Sequence, residues 1–419
     1  MDPKPSPRAW LIVVLLWVVV TSNFISRVML TTMHGSILAS FPITEAQFGL
    51  LTAGFLWAYG LVSPFAGFVA DRFSRSRVIL VSLCAWSTLT WLTSYARSFE
   101  HLLALRALMG VSEACYLPSA LALIADYHRG STRSLATGLH QTGIMAGAAF
   151  GSLGGWVADH HTWHYAFALV GLTSLAYGVL LCFVLRDAPR EPRSAGSDPA
   201  QPAPGVRFGA ALASLFSRGT FLLVLIYWGL LGITSWTVSG WMPVFLQERF
   251  HLTQGAAGFA ANGYTVVAAF PGMLIGGFWA DRWCRSNPRG RIYVPAIGLL
   301  IAAPCVLLTA GSTLLSVAVG GLIFYRFFAC FSESNMMPIL CEIVDARYRA
   351  TAYGVINMTG TVAAGAGIYF AGTLRDGGYH LSRVFAVVAA LVLICPLLLL
   401  LMRTRAGGPG RDIGGERGL

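Results

Sequence analysis

Long apolar runs dominate this chain, each near the 20 residues that an α-helix needs to cross a bilayer, and short polar stretches separate them. Twelve runs predict spanning helices over 9–38, 46–70, 77–97, 100–126, 131–157, 164–185, 220–246, 255–280, 291–311, 313–342, 348–373 and 382–402. One polar break is longer than the rest. The stretch "RDAPREPRSAGSDPAQPAPGVRFG" is rich in Pro, Ala and charge and reads as a linker. It divides the chain into a six-helix half over 1–187, a linker over 188–218, and a second six-helix half over 219–419. The predicted class is therefore an all-α membrane protein with twelve transmembrane helices in two six-helix repeats.

The second half repeats the first. "RALMGVSEACYLP" begins at Arg106 and "RFFACFSESNMMP" at Arg326, so Arg, Ser, Glu and Pro recur 220 positions apart. "GFVADRFSRSR" after the second run matches "GGFWADRWCRSNPRGR" after the eighth at an offset of 210. "GIMAGAAFGSLGG" and "GTVAAGAGIYFAG" give the fifth and eleventh helices small-residue faces, where membrane helices approach closely. Parallel repeats of this kind place a transporter's binding site near the midplane, between the halves.

Composition and charge agree with the pattern. The chain is 56% hydrophobic and 11% charged, with a mean hydropathy of +0.65, far from the roughly 25% charge of soluble domains. Of the 29 basic residues, 22 fall in tails and loops on one side, four on the other, and three (Arg27, Arg106, Arg326) within spans. That bias predicts both termini in the cytoplasm of a cell (inner) membrane. It also accounts for the net charge of +11 without a nucleic-acid partner. The N-terminal run lacks a small-x-small cleavage site and continues through Arg27, so it reads as a retained first span. The eight cysteines show no disulfide or zinc spacing. No phosphate loop, nucleophile elbow or paired catalytic carboxylates occur, which argues against an enzyme and predicts neither cofactor nor metal.

These residues resemble the major facilitator superfamily over nearly the whole chain. Its loop signature between the second and third helices is matched by Gly67, Asp71, Arg72 and Arg75, with Ser74 where the family has glycine. "NFISRVMLT", "GVSEA" and "RATAYG" are similar to the organic anion:cation symporter branch. "FGLLTAGFLWAYGLVSPFAGFVADRFSR" is similar to the spinster-like lipid transporters. Both branches carry Asp-Arg in the first helix, where this chain has Ser26 and Arg27.

A charge at the bilayer centre costs about 3 kcal/mol on insertion scales, so each one here needs a reason. Arg27 is read either as an ion-pair partner of Glu113 or as a bidentate clamp for an anionic substrate. The resemblance favours the clamp. Glu113 is read as a structural carboxyl or, better supported, as a proton-coupling group. Arg106, two helical turns from Glu113, shares its face but is expected not to bond to it directly, and it is read either as a substrate-binding residue or as structural. Glu333 is the second proton-coupling candidate, facing the cavity with Asn335 or bracing the bundle. Tyr59, His140, Gln141, Asn262, Tyr264 and Asn357 are polar positions for a cavity wall. From the resemblance, Asp71, Arg72, Arg75, Asp281 and Arg282 form a cytoplasmic gate that closes when the outer side is open.

The expected function is alternating-access transport of a small organic anion, a sugar acid or other carboxylate, in symport with protons, by a monomer in the lipid bilayer. The rivals are a spinster-like carrier of a lysolipid or amphiphile and an efflux carrier of a drug-like compound. A sensor would need a long soluble signalling domain, which the short linker and tail do not supply.

Overall fold

The computed structural model describes residues 7–128, 132–188, 208–344 and 348–402. Helices account for nearly all of them, and no strand occurs among the described residues. The first half contains α1 (Pro7–Thr32), α2 (His34–Ser40), α3 (Glu45–Arg72), α4 (Arg75–Thr93), α5 (Phe99–Ala114), α6 (Tyr116–Tyr127), α7 (Arg133–Gly151), α8 (Leu153–His160) and α9 (Trp163–Val184). After α10 (Phe208–Phe216), the second contains α11 (Gly219–Phe250), α12 (Gln254–Gly258), a π-helical turn (Phe259–Gly263), α13 (Tyr264–Cys284), α14 (Gly290–Gly311), α15 (Leu315–Ile343), α16 (Arg349–Asp376) and α17 (Leu381–Leu401). Joined end to end, the pairs α1/α2, α5/α6, α7/α8 and α12/α13 make single crossings, and twelve crossings result. The predicted linker is corrected at its end, because α10 occupies 208–216; residues 189–207 lie outside the described residues.

Local chemistry sets the ends. Thr44 and Gln47 form a reciprocal capping box at the start of α3. Ser74, Ser98, Thr162 and Thr253 accept the third backbone N–H of α4, α5, α9 and α12. The fourth crossing breaks at Cys115, three residues before Pro118. Proline lacks the N–H that would bond back one turn, so the ladder opens there. Its repeat partner α15 runs unbroken through Pro338.

Ten of the twelve crossings are long and apolar enough to span a membrane by composition alone. The two that are not, α7/α8 and α16, are the fifth and eleventh, the pair with small-residue faces. Both pack mainly on other helices: α7 on α1, and α16 on α3 and α11. Helices shielded by protein can carry more glycine and polar residues than helices facing lipid. Elsewhere the outer surface is apolar, with Phe65, Phe183, Val267 and Phe278 largely exposed.

The halves meet mainly along α3 and α16 and where α8 meets α12. Gly372 in α16 and Gly155 in α8 allow these approaches. A Cβ on Gly372 would lie 2.4 Å from the Glu45 carbonyl oxygen, and one on Gly155 would lie 2.6 Å from the Gln254 carbonyl oxygen. The face bearing the α9–α10 connection is termed the connector face below, and the other the far face.

Candidate functional site

Two arginine–glutamate pairs occupy the interior, one in each half. In the first, Arg27 of α1 donates from Nε to Glu113 Oε2 of α5 at 2.7 Å. Its guanidinium lies against three rings, with Phe24 at 4.8 Å, Phe55 at 5.0 Å and Tyr59 at 4.6 Å from their centroids. The pair is sealed, with the Arg27 side chain 9% exposed and that of Glu113 0%. Ser26 Oγ stands 3.4 Å from Glu113 Oε1, placing a hydroxyl where the resemblance implied a second carboxylate.

Arg106 does not join that pair. It is wholly buried, donates from Nη1 to the Ser26 carbonyl at 3.2 Å, and lies 4.8 Å from the Phe55 ring centroid. Its Nε and Nη2 have no partner among the described residues. The expectation that Arg106 touches substrate is therefore not met in this conformation, because no part of it reaches the cavity.

The second pair is built differently. Arg326 and Glu333 lie on one helix and bond directly, Nη1 to Oε1 at 2.5 Å and Nη2 to Oε2 at 3.1 Å. This corrects the reading that a spacing of seven forbids contact: the backbone rise is near 10 Å, but two extended side chains close it. The pair is also open, with Arg326 27% and Glu333 31% exposed. Seen from the sequence alone, α11 explains the contrast. The position corresponding to Arg27 at the 210 offset is Thr237, and α11 carries no basic residue before Arg249. Glu333 therefore takes the arginine of its own helix.

The opening leads into two adjoining cavities of about 200 and 240 Å³ whose walls share Ser235, Trp236, Tyr325 and Glu333. The larger reaches Arg326 and Asn262 and is closed from the first half by Phe24, Val28 and Met145. Phe24 thus has the cavity near it and Arg27 over its ring. The smaller extends past Trp228 to Asn357, whose Nδ2 donates to Ser63 Oγ of the other half at 3.2 Å. Asn262 sits in the π-helical turn, a geometry found often at functional sites.

Other predicted wall residues lie elsewhere. His140 is fully buried, its Nε2 3.0 Å from the Tyr116 hydroxyl inside the first half. Asn335 ties α15 to α13 by donating to the Gly276 carbonyl at 3.3 Å. Gln141 and Tyr264 are exposed and line neither cavity. Tyr59 packs under Arg27 instead. All five are corrections, and His140, Asn335 and Tyr59 are taken up by packing or by a helix contact. The rings of His160 and His164 lie against Trp156 and Trp163, and no cluster able to hold a metal occurs among the described residues.

Sequence reasoning missed a latch on the far face. Asp376, ending α16, accepts the N–H groups of Glu45 and Ala46 at 2.9 Å each, capping α3 of the other half. Asp159, near the end of α8, accepts Gly255 N–H at 2.8 Å and Gln254 Nε2 at 3.1 Å, capping α12. A carboxylate at a helix N-terminus is favoured by the free N–H groups and the helix dipole. Arg375 adds a fork to Glu248 at 2.6 and 3.0 Å and a bond to Glu45 at 2.7 Å, and Glu45 also meets His34 at 2.7 Å. A sequence signal existed: Gly155 and Asp159 in "GWVAD" recur 217 positions later as Gly372 and Asp376 in "GTLRD".

On the connector face the charge pairs lie within one half. Arg75 pairs with Asp126, and Arg291 joins Asp281 and Glu342 at 3.0 Å each. Asp187 accepts from Ser74 Oγ at 2.6 Å and Ser76 N–H at 2.8 Å. Burial pushes its carboxyl upward, but these hydrogen bonds and nearby Arg75 prevail and hold it below the usual aspartate value. Arg72 and Arg282 are exposed on this face, and the side chain of Asp71 lies outside the described residues. The far face is thus tied across the halves by helix caps and the Arg375–Glu45 pair, whereas Arg75 and Asp281 pair within their own halves.

The Major Facilitator Superfamily model matches residues 16–368 and, in a second match, 250–417. A D-galactonate transporter of Escherichia coli O6:H1 is 25% identical, with 95% of this chain and 96% of that one covered. A gallate transporter of Pseudomonas putida is 26% identical over 93% and 90%. Protein spinster homolog 1 of Xenopus tropicalis is 25% identical over 71% of this chain, which spans 59% of that relative's length. Among solved structures, a bacterial homologue of the human lysosomal transporter Spinster, inward-facing and occupied, aligns with a TM-score of 0.78 at 20% identity, covering 95% of this chain and 97% of that one.

Proposed function

The chain belongs to the major facilitator superfamily, and from that premise we propose that it carries a small organic anion across the membrane in symport with protons. It is a multi-pass membrane transporter rather than an enzyme. The observation that carries the anion reading is the buried charge beside the cavity. Arg27, Arg106 and Arg326 stand against two carboxylates, Glu113 and Glu333, so the fully ionised interior has one cation in excess. Of the three only Arg326 lines the cavity, where an entering anion would be drawn by the surplus positive charge around it.

Proton coupling follows from the sealed pair. A proton on Glu113 removes the charge that Arg27 faces, and the uncompensated guanidinium lies just behind Phe24, at the cavity wall. Anion and proton then favour each other's binding, which is the requirement for symport. With the connector face in the cytoplasm, as the basic residues favour, the closed far face corresponds to an inward-open state. Asp71, Arg72, Arg75, Asp281 and Arg282 are proposed to bridge the halves only after the latch opens. The same reading takes 1–187 and 219–419 as the moving bodies, works as a monomer, and places the protein in the cell membrane. The names of the galactonate and gallate carriers support a carboxylate substrate.

A lysolipid carrier is the second reading, supported by the apolar cavity walls of Leu231, Leu299 and Val392. A thermal-shift screen with D-galactonate, gallate and a lysophospholipid separates the two. A true ligand at a hundredfold excess over its dissociation constant stabilises by about 2.7 kcal/mol. Stabilisation by an acid and not by the lysolipid supports anion transport; stabilisation by the lysolipid alone overturns it. A cysteine at Ser197 that is labelled by an impermeant reagent outside intact cells would reverse the sidedness.

A further inference from the structure

Arg326 and Glu333 form a fork-to-fork pair inside the cavity between the halves, where a salt bridge is not needed to hold helices together. Both residues lie on α15, so the bond links no two elements. It is solvent-accessible from the cavity, unlike the sealed pair of the first half. A buried charge pair that neither joins elements nor is sealed from water has little structural use. What it does is present a guanidinium whose N–H fork is already filled by a carboxylate.

One further observation points to a ligand. The Nδ2 of Asn262, on the wall of the same cavity, is buried with no hydrogen-bond partner among the described residues. Orphan donors inside a protein are rare and need an explanation. An incoming acceptor at Arg326 explains it.

We infer that Arg326, with Asn262, is the receptor for the substrate's carboxylate, and that Glu333 is an internal competitor which the substrate displaces. The inference rests on the organic-anion reading and adds which group takes the anion. The ligand class is a small carboxylate able to accept two parallel N–H bonds. Trp236 and Tyr325 line the cavity with Ser235 and Ser239, an aromatic and hydroxylated wall that suits a flat or hydroxylated body. The competitor keeps the cavity's charge satisfied while it is empty. It also lowers affinity, because each bound anion must first break the internal fork.

The test uses sodium benzoate as a generic carboxylate probe on the purified full chain, read by isothermal calorimetry. Glu333→Gln removes the competitor, keeps the side-chain volume, and is expected to bind benzoate about ten- to a hundredfold more tightly than the wild type. The double variant Arg326→Gln/Glu333→Gln is expected to lose that gain entirely, and Asn262→Ala in the Glu333→Gln background to lose severalfold. If Glu333→Gln binds benzoate no more tightly than the wild type, the inference is wrong. A measurement on the wild type needs no variant to fold: benzoate should protect Arg326 from phenylglyoxal, read by mass spectrometry. Equal modification with and without benzoate also overturns the inference. If the wild type transports an organic acid but Arg326 proves indifferent, only this assignment falls. If Arg326 binds benzoate as described but no organic anion is transported, the transport reading falls and the receptor stands.

Discussion

Arg106 and Glu113 in one half, Arg326 and Glu333 in the other, share a spacing of seven residues and come to opposite arrangements. Glu113 turns away from its own helix to Arg27 and is sealed under aromatic rings. Glu333 folds back on Arg326 and stays open to the cavity. The difference is set one helix away, by an arginine in α1 that α11 lacks. Repetition of a motif therefore does not repeat its role. The first pair can hold or release a charge without meeting substrate, and the second can meet substrate directly.

That asymmetry predicts unequal costs. Arg27→Ala leaves the buried Glu113 without its ion-pair partner, and removing one member of a buried pair costs about 3–5 kcal/mol. Arg326→Ala leaves Glu333 facing cavity water, where an exposed pair is worth about 1 kcal/mol or less. Thermal unfolding in detergent should show a large drop for the first variant and a small one for the second. Equal drops would erase the distinction between the pairs.

The latch should resist in between. Asp159→Asn with Asp376→Asn weakens both helix caps across the halves. Each hydrogen bond to a charged group is worth about 1.5–3 kcal/mol. The variant should expose the cavity to the far face. A cysteine at Ser239 in a cysteine-depleted chain should then react with an impermeant thiol reagent at least tenfold faster from that side. An unchanged rate would mean that these caps do not keep the far face shut.

The smallest effect belongs to the connector face, where the charge pairs named above each stay within one half. Asp187→Asn loses a charge at the start of α4, worth about 0.3–1 kcal/mol. Because its folded-state value is lowered, that stabilisation is complete above the ordinary aspartate value, about 3.9. It is lost as the pH falls through the lowered value. Melting temperatures of wild type and variant should differ at pH 7 and converge in acid; a constant gap would argue against the charge.

The fold was legible because a bilayer allows few solutions: a run of some 20 apolar residues must be a helix. The repeat was legible wherever glycine, proline or charge recurred in register. Side-chain partnership was not. Asn335 looks like Asn262 in sequence, yet its amide donates to a neighbouring helix and that of Asn262 finds no partner among the described residues. Which arginine Glu113 chooses depends on how α1 rotates against α5, and spacing along one helix carries no information on that. The latch was readable in principle, from Gly155 with Asp159 and Gly372 with Asp376, but only once α8 meets α12 and α16 meets α3 does the motif acquire its meaning.

The central claim is that the sealed pair couples and the open pair receives. Glu113→Gln in proteoliposomes tests it most directly, with one labelled acid followed both in exchange between equal pools and in accumulation driven by a proton gradient. Glutamine keeps the carboxyl's shape and cannot cycle a proton, so exchange should continue near the wild-type rate while accumulation disappears. Accumulation equal to the wild type would contradict the claim and move coupling away from Glu113.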